Sequence, residues 1–265
     1  MDLSIVIVTY NSGDTVLNCI RSIYENIKDI NYEVLVIDNL STDGTPLKII
    51  EEFPKVKMLI NEENLGFGKA NNIGFKNASG EYILVLNPDT RVIEKSIENM
   101  IKFMGMNKDV GILTCKLLNF DDSIQYSARR FISLFQTIFY RTPIKKIMPQ
   151  SQVNKLNNYY LMKDWDHNSN KEIDWAIGAC LLLPKKIIDT LEGFDDRFFM
   201  YYEDVDLCLR TKREGYKIFY LADVNISHEH IQASTKNVNK LSIIHFKSMI
   251  KFYKKYNSLI FNNKR

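Results

Sequence analysis

A chain of 265 residues with 45% hydrophobic and 25% charged residues can bury a sizeable α/β core and has the composition of a soluble globular protein. A formal net charge of +3 argues against a general nucleic-acid-binding surface, and no run reaches the roughly 20 apolar residues of a membrane-spanning helix. Cys19, Cys115, Cys180 and Cys208 lie in apolar runs without CxxC or zinc spacing, and the N-terminus lacks the basic region of a signal peptide, so a cytoplasmic protein with core thiols is expected.

Ser4 to Thr9 is a continuous β-branched run, the pattern of a strand buried on both faces. It ends in the turn Tyr10-Asn11-Ser12-Gly13, and apolar residues at helical spacing follow from Val16 to Tyr24. Glu33 to Ile37 predicts a second buried strand ending at Asp38. The turn formers Ser41, Asp43 and Gly44 come next, then a short helix through Leu47 and Ile50. Val56 to Ile60 predicts a third strand, and NEENLGFGKANNIGFKNASG a loop and helix. Tyr82 to Leu86 predicts a fourth strand, halted by Asn87-Pro88-Asp89-Thr90. Strands alternating with helices imply parallel pairing with right-handed crossovers.

In such sheets ligands bind beyond the carboxyl ends of the strands. Those ends carry Thr9-Tyr10-Asn11, Asp38-Asn39 and Asn87-Pro88-Asp89, polar groups converging on one edge. A dinucleotide-dependent oxidoreductase needs a G-x-G-x-x-G turn after its first strand. TYNSGD has none, which leaves that reading weak.

Val110 to Leu118 predicts a further strand. From Asn119 to Glu172 motifs are lacking, although Phe131, Leu134, Phe135, Ile138 and Phe139 recur at helical spacing among Arg129, Arg130, Arg141, Lys145 and Lys146. Ile173 to Pro184 is again apolar. Gly193 to Arg210, GFDDRFFMYYEDVDLCLR, sets an aromatic wall before a carboxylate run that opens a helix, with Gly215 as its stop. Two strands, Lys217 to Leu221 and Val224 to His228, lead into SHEHIQAST.

Taken together, SIVIVTYN, VLVIDNLSTDGT, NLGFGKANNIG, YILVLNPDT and the YYEDVD stretch resemble the ordered motifs of family 2 glycosyltransferases, inverting enzymes with a GT-A fold. The resemblance spans roughly residues 3 to 235. It implies a Rossmann-like α/β domain, with a mostly parallel central sheet flanked by helices. Residues 1–118 would form its nucleotide-sugar half and 119–235 its acceptor half, with a basic C-terminal segment over 236–265.

Position by position, the resemblance implies that Thr9, Tyr10 and Asn11 border the nucleotide base, and that Asp38 bonds the base or ribose. Asn64, Gly66 and Asn71 would line the nucleotide pocket. Asn87 and Asp89 stand where the family has its metal-binding DxD, in the NPD form of rhamnosyltransferase-like members. Mg²⁺ or Mn²⁺ is implied at Asp89, with His228 as a further contact. Trp175, Gly178, Tyr202 and Glu203 would line the acceptor cleft.

Asp204 matches the general base of the family's ED pair. Its first-turn position favours the ionised form, with Glu203 orienting it or the acceptor and Asp206 and Arg210 supporting the helix. The implied donor is a nucleotide diphosphate sugar, dTDP-L-rhamnose or a UDP-hexose, and the acceptor a glycan or lipid-linked glycan. Asn87 in place of an acid keeps open a nucleotide-sugar-binding protein without catalysis.

From Asn239 to Arg265 seven basic residues and no acid alternate with Leu241, Ile244, Phe246, Met249, Ile250, Phe252, Tyr253 and Tyr256. Two readings stand side by side. One is a helix docked on the domain with a solvated basic face. The other is a helix lying in an anionic membrane interface on the cytoplasmic side.

Overall fold

The computed structural model describes residues 1–141, 148–229 and 238–256. The elements follow in chain order as β1 (Leu3–Thr9), α1 (Asp14–Asn26), β2 (Tyr32–Asp38), α2 (Thr45–Glu52), β3 (Lys57–Ile60), α3 (Phe67–Asn77), β4 (Tyr82–Leu86), β5 (Thr90–Val92), α4 (Ser96–Met106) and β6 (Val110–Leu118). The second half contributes β7 (Ile124–Gln125), β8 (Ala128–Arg129), α5 (Leu134–Arg141), α6 (Gln150–Tyr160), β9 (Lys171–Ile173), β10 (Trp175–Ala176), β11 (Cys180–Pro184), α7 (Lys185–Leu191), α8 (Glu203–Arg213), β12 (Lys217–His228) and α9 (Val238–Lys255).

One sheet runs in the order β3-β2-β1-β4-β11-β6-β12-β5, with β7 added on β6 and β9 on β12. Six of the eight strands on that path point one way, and only β11 and β5 oppose them. The sheet is therefore mostly parallel, as expected. Helices cover both faces. Leu3, Ile5 and Ile7 of β1 pack with α1, α2 and α4, whereas Val6 and Val8 face α3, α7, α8 and α9. That double covering is why β1 reads as an unbroken apolar run. Each fully buried Ile or Val contributes roughly 1.5–3 kcal/mol of transfer free energy.

Two boundaries differ from the sequence reading, and several elements are new. The last two predicted strands are one strand, β12, with register shifts, one of them between Leu221 and Asn225. Phe131 precedes α5 instead of belonging to it; its N–H is taken by the Asp174 carboxylate. α4, α6 and α7 and the strands β5, β7, β8, β9, β10 and β11 went unpredicted. All four cysteines are buried free thiols, as their apolar settings required. Lys145, Lys146, His230 and residues 257–265 lie outside the described residues.

α9 is docked. Ser248 Oγ donates to the Met200 carbonyl, Lys251 Nζ to that of Arg197, and Tyr253 OH to that of Ile132. Phe252 and Tyr253, on its inner face, are buried.

Candidate active site

Pairing between β5 and β12 builds one part of the site. His228 stands opposite Thr90 in that antiparallel ladder, and the Glu229 N–H donates to the Asp89 carbonyl at 2.7 Å. The register sets His228 Nε2 3.1 Å from Asp89 Oδ1 and 3.4 Å from Asn87 Nδ2. On the far side of the ring, His228 Nδ1 lies 2.6 Å from Gln125 Oε1. His228 is buried at 3% exposure.

This pair fits a hard divalent cation. Asp89 Oδ1 is buried and makes no protein hydrogen bond, yet faces an imidazole nitrogen whose ring is already held from behind. A metal-ligating histidine is typically oriented in this way through its second nitrogen. Among the described residues no cluster of three or more His, Cys, Asp or Glu surrounds the spot. A cation held here would therefore complete its shell with diphosphate oxygens and water, as Mg²⁺ and Mn²⁺ sites on phosphate substrates do.

The second part is the N-terminus of α8. Tyr201 and Tyr202 both take left-handed backbone, φ +68° and +70°, which swings the chain into the helix so that Asp204 faces a cleft of about 670 Å³. The Asp204 carboxylate accepts hydrogen bonds from the Gly178 N–H at 3.1 Å and the Val205 N–H at 2.8 Å. Burial nevertheless pushes its pKa up to about 6. The helix terminus and both N–H donors favour the ionised form, as expected, but desolvation outweighs them. A carboxyl with a pKa near 6 is still well matched to taking a proton near neutrality.

Trp175, Tyr202, Gln125, Arg129 and His245 line the same cleft. Arg129 and Trp175 are cross-strand partners between β8 and β10, which sets their side chains on one face. Trp175 Nε1 donates to the Arg130 carbonyl. The predicted acceptor residues Trp175 and Tyr202 are therefore at the cleft, and Gly178 touches it through Asp204. A Cβ on Gly178 would lie 3.1 Å from the Phe67 ring.

Other predicted positions are buried or engaged by the protein itself. Glu203 is 6% exposed and does not line the cleft. It turns toward α3, its Cβ 3.6 Å from where a Gly68 side chain would begin. Burial, then the nearby Asp204, raises its pKa well above the usual carboxylate value. Gly66, at φ +80°, has no room for a side chain, since a Cβ would stand 2.0 Å from the Phe199 carbonyl oxygen. The glycine lets the chain at Phe199 pass close by. Asn71 is fully buried, with Nδ2 donating to the Phe67 carbonyl within α3. Asp38 is also fully buried, its two oxygens taken by the N–H and hydroxyl of Ser41, and it organises the loop after β2. Asn64 Oδ1 accepts from the Gly66 N–H.

At the end of β1, Thr9 Oγ1 is buried without a hydrogen-bond partner and Tyr10 is half exposed. Asn11 joins two loops, with its N–H on Ser41 Oγ and its Oδ1 accepting from Thr42. Asn39, one of the strand-end polar groups, bridges Gly66, Asn61 and Leu65 through its amide. Sequence reasoning missed Gln125 and His245, for which no local motif exists. Asp206 and Arg210 support the helix as expected, paired at 2.7 Å.

The sequence profile of glycosyl transferase family 2 matches residues 4–167. The chain belongs to glycosyl transferase family 2. It is 28% identical over 257 residues to the N-acetylglucosaminyl-diphospho-decaprenol L-rhamnosyltransferase of Mycobacterium tuberculosis, covering 93% of this chain and 82% of that one. With the rhamnosyltransferase WbbL of Escherichia coli it shares 26% identity, covering 94% and 91% of the two chains. In fold it is similar to the mannosyltransferase PcManGT of Pyrobaculum calidifontis, solved with GDP-mannose and Mn²⁺. That match has a TM-score of 0.63 at 16% identity and covers 96% of this chain and 64% of that one. The protein is a glycosyltransferase with the GT-A type of fold.

Proposed function

We propose that this glycosyltransferase moves a sugar from a nucleotide diphosphate sugar, dTDP-L-rhamnose foremost and a UDP-hexose second, to a hydroxyl of a lipid-diphosphate-linked glycan in cell-surface polysaccharide assembly. The observation that carries the reading is Asp204: a carboxylate held by two backbone N–H groups, facing an aromatic-walled cleft that also contains Gln125, the residue behind His228. The choice of rhamnose and of a lipid diphosphate acceptor follows the rhamnosyltransferase relatives.

In the proposed reaction Asp204 takes the proton of the acceptor hydroxyl as its oxygen attacks the anomeric carbon. The bond from that carbon to the diphosphate breaks, and the nucleoside diphosphate leaves with the electron pair. One displacement inverts the anomeric centre and requires no protein nucleophile. Asp89 and His228 would hold a divalent cation, which supplies charge neutralisation for the departing diphosphate. Trp175 and Tyr202 give the acceptor sugar apolar faces on which to stack.

Work at a membrane surface is part of the same proposal. Ile243, Phe246 and Ile250 form an exposed apolar stripe on α9, with Lys247 and Lys254 on the same face. Helical spacing aligns all five, and the stretch from Val238 to Lys255 contains no acid. No helix among the described residues is long and apolar enough to cross a membrane. The occupant argued here is the anionic leaflet that carries the acceptor.

The test is a transfer assay with a panel of nucleotide sugars, Mn²⁺ and a polyprenyl-diphosphate-linked sugar. Consumption of dTDP-L-rhamnose is expected. Turnover of UDP-hexoses alone would overturn the donor, and binding of nucleotide sugars without any turnover would favour the non-catalytic alternative.

A further inference from the structure

Gln125 sits on β7, where it pairs with Leu117 of β6, and its side chain reaches across to His228. The amide could in principle face His228 with either its oxygen or its nitrogen. A chain of hydrogen bonds within the 119–125 hairpin decides which. Asp121 Oδ1 receives both the hydroxyl and the N–H of Ser123, at 2.5 and 3.1 Å. The Ser123 hydroxyl bond, then its backbone N–H, holds the Asp121 carboxyl below its usual range. Ionised, it can only accept.

The Ser123 hydroxyl, having spent its proton on Asp121, must accept from Asn119 Nδ2 at 2.9 Å. Asn119 therefore presents Oδ1 to Gln125, which donates through Nε2 at 3.3 Å. That leaves Gln125 Oε1 toward His228 Nδ1, 2.6 Å away. An oxygen at that distance requires a proton on Nδ1. In the neutral ring Nε2 then carries a lone pair, and it faces Asp89 Oδ1 at 3.1 Å. Asn87 Nδ2 also reaches this nitrogen at 3.4 Å, and a divalent cation would bridge it to the Asp89 oxygen.

The geometry points to Gln125 as a positioning residue that, through the directional chain from Asp121, holds His228 in the Nδ1–H form and offers Nε2 to a divalent cation shared with Asp89. The assignment takes its purpose from the cation reading above. It gives that reading a residue no linear motif contains. Because Gln125 also lines the acceptor cleft, the cation site and the acceptor wall share one side chain.

The test uses full-length protein labelled with ¹⁵N-histidine, free of metal, at about pH 8.5, above the ordinary imidazole range. The His228 resonance is assigned with a His228→Asn variant. Wild type should show Nδ1 protonated and Nε2 bare. Gln125→Leu should lose that preference and bind Mn²⁺, read by the electron spin resonance of the free ion with saturating UDP, about 10–100-fold more weakly. Gln125→Glu should keep both properties, since a carboxylate also accepts from Nδ1–H. Asn119→Leu, which frees the amide to flip, should give a mixture of the two forms and covers the case in which Gln125→Leu fails to fold. A proton on Nε2 in wild type overturns the inference. So does a Gln125→Leu protein unchanged in both tautomer and Mn²⁺ affinity. If wild type binds no Mn²⁺ at all, the cation reading fails, while the metal-free spectra still decide whether Gln125 sets the tautomer.

Discussion

Lys255 Nζ lies 2.5 Å from Asp206 Oδ1, a carboxylate with no exposed surface. Tyr256 OH donates to the same oxygen, and Arg210 Nε to the other. The last turn of α9 is thereby fastened to the first turn of α8, two residues beyond Asp204. Removing one member of such a buried set strands charges of the other sign. Asp206→Ala should therefore lower the unfolding free energy by about 3 kcal/mol, measured by urea titration. A change under about 0.5 kcal/mol, the level of ordinary surface substitutions, would show that the contact adds nothing.

Asp204→Asn should abolish transfer while leaving the fold intact. A general base typically contributes 10²–10⁴-fold, so a fall in kcat of at least about 10²-fold is expected, with donor affinity unchanged. Melting temperature should stay level or rise, because the variant removes a carboxyl whose ionisation burial opposes. Near-normal turnover would remove Asp204 from the role.

The pH dependence follows from the same group. Asp204 must be ionised to act, and its pKa is raised from 3.8 to about 6. The rate should climb as pH rises through about 6 and level off above, with the apparent midpoint belonging to the Glu203–Asp204 pair together. For stability the sign is opposite. The raised folded pKa makes this contribution fully present below about 3.8 and lost as pH rises through about 6. An acidic limb centred near 4 would contradict the environment described for Asp204.

Chelation tests the other part of the site. EDTA should stop transfer, and either Asp89→Ala or His228→Ala should weaken Mn²⁺ binding in the presence of nucleotide, followed by calorimetry. Full activity in chelator would mean that side chains alone neutralise the diphosphate.

Membrane association calls for point changes. Truncation before α9 would strip Lys255 and Tyr256 from Asp206 and unfold what it sought to test. Phe246→Glu with Ile250→Glu alters only exposed positions and should abolish salt-sensitive sedimentation with anionic vesicles. Equal sedimentation of the variant, or none for wild type at low salt, would leave α9 as a structural brace.

Much of the nucleotide-side sheet is legible in the residues because β1, β2, β4 and β6 are buried on both faces and so are written as continuous apolar runs. β5 is not legible: three residues after a turn become a strand only because β12, more than a hundred residues later, pairs with them. α4 did carry a signal, Ile97, Met100, Ile101 and Met104 at helical spacing, and α6 carried little, being polar along most of its length. For the site, Asp204, Asp89 and His228 are recoverable from motif order. The burial of Glu203, Asn71 and Asp38 is not, since it depends on which way each side chain turns against α3 or the loop after β2. Gln125 illustrates the general difficulty, because its partner is 103 positions away and nothing in the residues around it announces the contact.

β11 enters the sheet between β4 and β6, antiparallel to both, and this orders events during synthesis. Until residue 184 has left the ribosome, β4 has no neighbour on that side, and its row of free N–H and C=O groups is open to any extended chain nearby. The first 118 residues are thus expected not to fold alone, although they contain the strand-end motifs assigned to the donor. Expressed alone, they should aggregate through the β4 edge, and a separate polypeptide beginning near residue 119 should restore solubility by supplying the missing strand.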